Sequence, residues 1–596
     1  MANAFVATGR SEAATSACAV GVDAERGAIA GRPHAAMAKS AKNEYLEFSI
    51  ARDIREFSCG APGADEPAKT RVRMRDGKNS DWVVRVVYSC SLMIVTQHPG
   101  RIPLLLIASL AASPALFACG GKGSRSSSDP SNAPDGGTGM PGDRTSKCPP
   151  ALAPELRAEA DCWTLEVPQN RVRDTLVTLK LPVIVFHATP ASSKAPVVYL
   201  AGGPGASVLD DVTSGPAWAR LFGRDVIFFE QRGTDAATPT LVCNAPESDA
   251  DCLARWKSEG IDQASFNTIE NAEDLAALST ALHSPIVAWG NSYSTRLVQR
   301  LVQRRPEAVE ALIMSGTLPS SGSPITLSKM KANDAVLVRL SNWIKKKFRA
   351  QNLSPTDINP ATDFPAAMQI AVADPASNGL GGKSPFAFYN LLTVIRENLS
   401  FQPYIALWAY QTAHGISPSA PRQAWMKTTL SKFSGGESGR STFASAMYYA
   451  TMCFDEYQFW EPWHIPHATS GLGLPASVEA EATAYYEHLY RRCQELLATP
   501  SGYPPEAFRI AGSSPSVPTL FLIGDLDTST PAEWATSVIP NFPRRQEVHG
   551  ECQGHWFFGS DAVYSIIASF VQDPNRPVDI TPITNACIAP IEQPSF

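Results

Sequence analysis

The chain has 596 residues, 44% of them hydrophobic and 18% charged, ordinary values for a globular protein with room for several domains' worth of core. Its formal net charge of −6 argues against a nucleic-acid binder, which needs an excess of Lys and Arg to face phosphates.

Residues 1–92 show no sustained periodicity and mix Ala-rich, Arg-rich and Gly/Pro-containing pieces, so they are left unassigned. From Met93 the character changes: Arg101 supplies a positive charge, Ile102 to Ala118 is almost wholly apolar, and Leu116-Phe117-Ala118-Cys119-Gly120 follows. Interrupted by Pro103 and Pro114, the segment is too short for a membrane span. Residues 93–118 read instead as a bacterial secretory signal peptide with a lipobox, in which Cys119 becomes the lipidated first residue. Phe117 departs from the small residue usual there, which leaves cleavage without a lipid as the alternative. Such signals start near the initiator methionine, so Met93 is expected to be the natural start and 1–92 untranslated. Residues 119–147, rich in Gly, Ser, Pro and Asp, form a flexible tether that would hold a folded domain off a membrane of the cell envelope.

Cysteine use agrees with export. After Cys119 come Cys148, Cys162, Cys243, Cys252, Cys453, Cys493, Cys552 and Cys587, an even set with no C-x-x-C pair to suggest zinc. Neighbouring positions suggest 148–162, 243–252, 453–493 and 552–587, and the sequence leaves connectivity open. No metal or cofactor is expected.

Cys162 to Pro168 and Leu176 to Phe186 alternate in the β manner and form an opening hairpin. Ala195 to Ala201 is a short apolar strand ending in Gly202-Gly203-Pro204-Gly205, a turn whose backbone N–H groups can face a ligand. Without a following Lys-Ser/Thr it is a poor phosphate cradle. Asp225 to Glu230 is a second buried strand, and a helix over about Asn271 to Leu282 follows.

Ile286-Val-Ala-Trp-Gly-Asn-Ser292-Tyr-Ser294 then reads as a buried strand entering a sharp turn with Ser292 at its apex. From Thr295 to Arg305, Leu297, Val298, Leu301 and Val302 recur at helical spacing. Strand, tight turn and helix are the context of a nucleophile elbow, which holds a serine hydroxyl where a base and a carbonyl can both reach it. Gly290 meets the demand for a small residue two positions before the serine, while Ser294 stands where G-x-S-x-G has its second glycine. Glu310 to Ser315 supplies the next strand. The alternation of near-continuous apolar strands with helices indicates an α/β fold with a mostly parallel sheet flanked by helices.

From Leu318 to Pro515 that rhythm stops. The segment is mostly helical in pattern, holds Trp343, Trp408, Trp425, Trp460 and Trp463 and a glycine-rich loop around 434–441, and reads as a large helical cap inserted between sheet strands. Its aromatics are assigned to cap core rather than to pocket lining. The sheet resumes at Val517 to Gly524, followed by Asp525-Leu526-Asp527, and Gly554-His555 follows a short strand near Gln546 to His549. This divides the folded part into a first core segment, 148–317, the cap, 318–515, and a closing core segment, 516–596. Ser292, Asp527 and His555 fall in the order of the α/β-hydrolase triad. Asp525 reads as a turn or capping residue, and His549 lacks a preceding glycine.

From about Cys148 to Cys587 the chain resembles the proline iminopeptidase and tripeptidyl aminopeptidase family of α/β-hydrolase serine peptidases. The matching pieces are G-G-P-G at 202–205, Q-R-G-T at 231–234, G-N-S-Y-S-T-R at 290–296, G-D-L-D-T-S-T-P at 524–531 and G-H at 554–555. The resemblance implies an exported aminopeptidase with Ser292 as nucleophile, His555 as base and Asp527 as its orienting acid. Backbone N–H groups of Tyr293 and of Gly203 or Gly202 then form the oxyanion hole. In relatives a Cys followed by an acidic residue near the end of the cap receives the substrate's amino terminus, which implies that role for Asp455, with Glu456 as the alternative, after Cys453. Four departures bear on substrate preference: Ala201 before G-G-P-G, the Glu230-Gln231 pair, Asp235, and Ser294. An esterase or lipase-like enzyme acting on small acyl esters, and a surface-binding protein with a decayed triad, are the competing readings.

Overall fold

The computed structural model describes residues 25–26, 68–75, 81–88 and 148–588, the last without 174–175, 244–246, 320–325, 348–357, 374–383, 387–388, 391–401, 418–441, 511–516, 556 and 558–559. The signal segment 93–118, Cys119, the tether 119–147 and the loop at 434–441 therefore lie outside the described residues. Among the described residues no helix is long and apolar enough to cross a membrane.

The N-terminal unit contains a three-stranded antiparallel sheet in which Asp81–Tyr88 lies between Glu25–Arg26 and Ala68–Arg75. Lys69, Arg71, Arg73 and Arg75 alternate with Thr70, Val72 and Met74 in the sequence. This period-two signal spans one strand only, too little to count as sustained, and so the region stays unassigned when read from sequence.

The second unit is built on an eight-stranded sheet. In chain order its strands are β1 (Ala160–Pro168), β2 (Thr178–Phe186), β3 (Val197–Leu200), β4 (Val226–Phe229), β5 (Ile286–Asn291), β6 (Val309–Ser315), β7 (Thr519–Gly524) and β8 (Arg545–Gly550). They lie in the order β1-β2-β4-β3-β5-β6-β7-β8. The β1–β2 and β2–β4 pairs are antiparallel and every later pair is parallel. Central strands β3, β4, β5 and β7 are buried at every residue, as their unbroken apolar runs require of a sheet covered on both faces. Edge strand β1 alternates instead.

Period two sends neighbouring side chains to opposite faces. Tyr199, Trp289, Ile313 and Leu522 join one core with Trp218 and Phe222 of helix α1 (Gly215–Phe222) and with Phe570. Val198, Ala288, Leu312 and Phe521 join the other, against Leu275 and Leu278 of α2 (Thr268–Leu282) and Leu297 and Leu301 of α3 (Tyr293–Arg304). Trp218 lies 4.7 Å from Trp289 and 5.6 Å from Phe228, centroid to centroid. This aromatic cluster braces β5 three residues before Ser292, and truncating one of its buried indoles to Ala is expected to cost about 3–5 kcal/mol.

Between β6 and β7 runs the helical cap, including α4 (Lys329–Lys347), α5 (Pro360–Ala373), α6 (Gln402–Ala413), α7 (Ser445–Asp455) and α8 (Ala476–Leu497). It has its own core around Phe364, Met368, Tyr457, Trp460 and Tyr486. Trp343 and Trp460 are buried and Trp408 is partly buried, whereas Trp463 is 62% exposed and Trp425 lies outside the described residues. Disulfides join Cys148 to Cys162, Cys243 to Cys252 and Cys453 to Cys493, the last tying α7 to α8. Cys552 is also disulfide-bonded; the side chain of Cys587, its expected partner, lies outside the described residues.

Candidate active site

Strand β5 ends at Asn291 and α3 begins at Tyr293, leaving Ser292 alone in the turn with φ 56° and ψ −122°. A non-glycine residue there carries strain of about 1–3 kcal/mol and persists only where its surroundings over-determine it. Here Ser292 N–H donates to Ser315 O at 2.8 Å, while its carbonyl accepts from Thr295 N at 2.9 Å and Thr295 Oγ1 at 2.6 Å. A Cβ on Gly290 would lie 2.4 Å from Ser294 O, so the first glycine of the motif is sterically obligatory. A serine strained on a strand-to-helix turn, in the middle of a sheet with this strand order, decides the fold. The chain has the α/β-hydrolase fold.

Across the C-terminal edge of the sheet, the loops after β7 and β8 bring Asp527 and His555 together. His555 Nδ1 lies 2.9 Å from Asp527 Oδ2, with Asp527 1% exposed. The carboxylate accepts three further bonds: Ser529 N and Thr530 N donate to Oδ1 at 2.8 and 2.7 Å, and Thr530 Oγ1 donates to Oδ2 at 2.7 Å. An acid fixed by four donors holds the imidazole in one tautomer, with Nδ1 protonated and Nε2 as the basic nitrogen. Two glycines allow the approach. A Cβ on Gly524 would meet Gly554 O at 2.4 Å, and one on Gly316 would meet Thr530 Oγ1 at 2.9 Å and His555 Cε1 at 3.1 Å. Since Ser292 is bonded to Ser315 and Gly316 abuts the His555 ring, one strand end, that of β6, serves both. Sequence reading missed Thr530 and Gly316. Thr530 was findable, since an Asp carboxylate readily accepts from backbone N–H groups two and three residues on, which folds that third residue against it.

The expected oxyanion donors divide. Tyr293 is the first residue of α3, so its N–H has no acceptor within the helix and points out at the positive end of the helix dipole. The place of a Cβ on Gly202 is 2.8 Å from Ser292 Cβ and 3.4 Å from Ser292 Oγ, whereas for Gly203 the nearest atoms are Gly205 N, Ala206 N and the Phe443 ring. Of the two glycines, Gly202 is the one that lies against the serine.

Asp455 and Glu456 are both fully buried. Glu456 is committed to an ion pair with Arg296 of α3 at 3.0 Å, both side chains wholly enclosed. Asp455 Oδ2 accepts from Thr268 Oγ1, which lies 2.6 Å from the Tyr293 hydroxyl. Because a threonine has one proton to give, Tyr293 O–H donates to Thr268 and Thr268 donates to Asp455. Asp455 Oδ1 has no partner among the described residues. Burial pushes the Asp455 carboxyl above its ordinary range, against the opposing pull of Arg296 and Thr268. Burial, together with Asp455, pushes the Tyr293 hydroxyl up, so it stays protonated as the donor. Arg296 could have been read from its place in the G-N-S-Y-S-T-R run, but nothing local marks Thr268, which is distant in sequence from Asp455.

Asp525 and His549 bond each other, Oδ1 to Nδ1 at 3.2 Å, on the half-exposed side of β8. Among the described residues one group brings three metal-type donors within 4.8 Å, Cys243, Glu247 and Cys252. Its two sulfurs are bonded to each other, and a disulfide lacks the thiolate a metal binds.

A family profile described as "TAP-like protein" matches residues 479–582, which include most of α8, Asp527 and His555. Among solved structures, a proline iminopeptidase from Mycobacterium smegmatis is 15% identical, with 69% of this chain and 98% of that one covered and a TM-score of 0.33. An α/β hydrolase from Novosphingobium aromaticivorans is 16% identical, covering 70% and 98%, with a TM-score of 0.30. An esterase from Exiguobacterium antarcticum is 14% identical, covering 66% and 96%, with a TM-score of 0.29. A search of curated proteins finds no significant match.

Proposed function

We propose that the protein is a serine peptidase that removes residues or short peptides from the amino terminus of its substrate through an acyl-enzyme. His555 Nε2 takes the proton from Ser292 Oγ as the oxygen attacks the scissile carbonyl. The C–N bond then breaks, and the imidazolium returns its proton to the leaving amine. Water, deprotonated by the same histidine, cleaves the ester and restores Ser292. Asp527 stabilises the charged imidazole. The N–H groups of Tyr293 and Gly202 receive the oxyanion, each donor contributing about 3 kcal/mol in related chemistry.

The observation that carries the aminopeptidase reading over the esterase is Asp455, a fully buried carboxylate with one oxygen unpartnered among the described residues. Its other oxygen is joined through Thr268 to Tyr293, the residue after the nucleophile. An exopeptidase needs a counter-charge at a fixed distance from the scissile bond, because a cationic amino terminus is what distinguishes a chain end from its middle. Arrival of an α-ammonium supplies the charge that burial denies the carboxylate, in a bond worth about 1.5–3 kcal/mol. With Glu456 held by Arg296, Asp455 is the better placed of the two. Asp455→Asn should lower kcat/KM on an amino-acyl p-nitroanilide by about 10–150-fold and leave p-nitrophenyl acetate turnover near wild type. Equal loss on both would mark Asp455 as structural, and no loss on either would hand the function to the esterase reading. The signal-like segment further supports export, with attachment to a membrane through lipid on Cys119.

A further inference from the structure

Ser294, which departs from the family pattern in the elbow, and Gln231 after β4 meet at a single atom. Ser294 is fully buried, and its Oγ donates to Ala201 O. Gln231, 1% exposed, donates from Nε2 to the same carbonyl at 2.8 Å and to Ser294 Oγ at 3.2 Å. The amide orientation of Gln231 is fixed by this pair of acceptors, because a flip would set its own oxygen against Ala201 O. Two donors fill both lone pairs of the Ala201 carbonyl.

A peptide unit is planar and trans, so its N–H points opposite to its C=O. Holding Ala201 O therefore also sets the direction of Gly202 N–H. Gly202 lies against Ser292, with the place of its missing Cβ 3.4 Å from Ser292 Oγ. We propose that Ser294 and Gln231 are positioning residues that clamp the Ala201–Gly202 peptide and so aim one N–H of the oxyanion hole. A glycine in the elbow could not make this bond. The serine that departs from G-x-S-x-G thus ties the helix carrying the nucleophile directly to the loop that stabilises the charge it creates. This inference rests on Ser292 being the nucleophile.

A preset donor strengthens its bond only as charge develops, so loss of the clamp should fall on kcat and not on KM. Ser294→Ala and Ser294→Gly should each lower kcat about tenfold with KM within twofold of wild type. Affinity for an amino-acyl boronic acid, which forms a tetrahedral adduct on a serine oxygen, should fall by the same factor. Gln231→Leu should act alike, and Ser294→Ala/Gln231→Leu should lose less than the product of the single losses, since both hold one carbonyl. A lowered melting temperature with unchanged kcat and boronate affinity, or a rise in KM alone, would overturn the clamp and leave Ser294 as packing. Fluorophosphonate labelling of the wild type separates the two levels: absence of label on Ser292 would remove the nucleophile, and the inference with it.

Discussion

Asp527→Asn is the substitution whose outcome the geometry specifies most closely. Two backbone donors, Ser529 N and Thr530 N, converge on Oδ1 at 2.8 and 2.7 Å. An amide NH2 placed there would face them donor to donor, so the asparagine must keep its oxygen on that side. Its nitrogen then takes the Oδ2 position, 2.9 Å from His555 Nδ1. The imidazole then accepts at Nδ1, which moves its proton to Nε2, the atom that receives the proton of Ser292 in the proposed mechanism. The wrong tautomer costs about 10⁴ in kcat in serine hydrolysis, or about 5.5 kcal/mol. Because Asn is isosteric and keeps both bonds to Oδ1, the melting temperature should stay within a few degrees and KM within about threefold. Steady-state hydrolysis of an amino-acyl p-nitroanilide and of an activated ester, beside a thermal melt, measures all of this. Asp525→Asn is the control, since Asp525 pairs with His549 at the surface and should leave kcat unchanged. An Asp527→Asn enzyme keeping a tenth of wild-type kcat, or an Asp525→Asn enzyme losing it, would refute the reasoning.

Other outcomes follow from single features. Ser292→Gly and Ser292→Ala should both be inactive, but only glycine relieves the strain at φ 56°. The glycine variant should therefore be about 1 kcal/mol the more stable by denaturant titration, and the reverse order would deny that the elbow is strained. His187 bridges Asp225 and Asp161 at 2.9 Å each, and these partners, Asp225 foremost, hold its imidazole up at about 9. A raised pKa stabilises fully below about pH 6.5 and is lost as pH rises through about 9. With the ring 49% exposed, solvent screening reduces this to about 1 kcal/mol. A His187→Gln variant should lack that decline, and an identical pH profile in the two proteins would contradict the assignment. Cys119→Ser should shift the protein from the membrane to the soluble fraction, and unchanged fractionation would exclude lipid on that residue as the anchor.

Much of the fold was legible because it is written in local patterns. Apolar runs without polar interruption announced β3, β4, β5 and β7, and Gly290 two residues before Ser292 announced the elbow. The Ser292 turn and the Asp527–His555 pair were legible because each of these residues stands in a motif set by backbone geometry. What escaped reading depends on contacts between distant segments. Thr268 reaches Asp455 and Gly316 makes room for His555, which no spacing along the chain reveals. For the same reason Ser294 looked like a tolerated imperfection in its motif. Its partners, Ala201 and Gln231, belong to two other strand ends that only the sheet brings near.

The central claim is that Ser292 is an activated nucleophile, and covalent capture tests it most directly. Intact-protein mass spectrometry after treatment with a fluorophosphonate should show one added phosphonyl group. Peptide mapping should place it on Ser292, and prior reaction with an amino-acyl boronic acid should prevent it. His555→Ala should label far more slowly at equal fold. No adduct on the folded wild-type protein, or an adduct on any residue other than Ser292, would contradict the account.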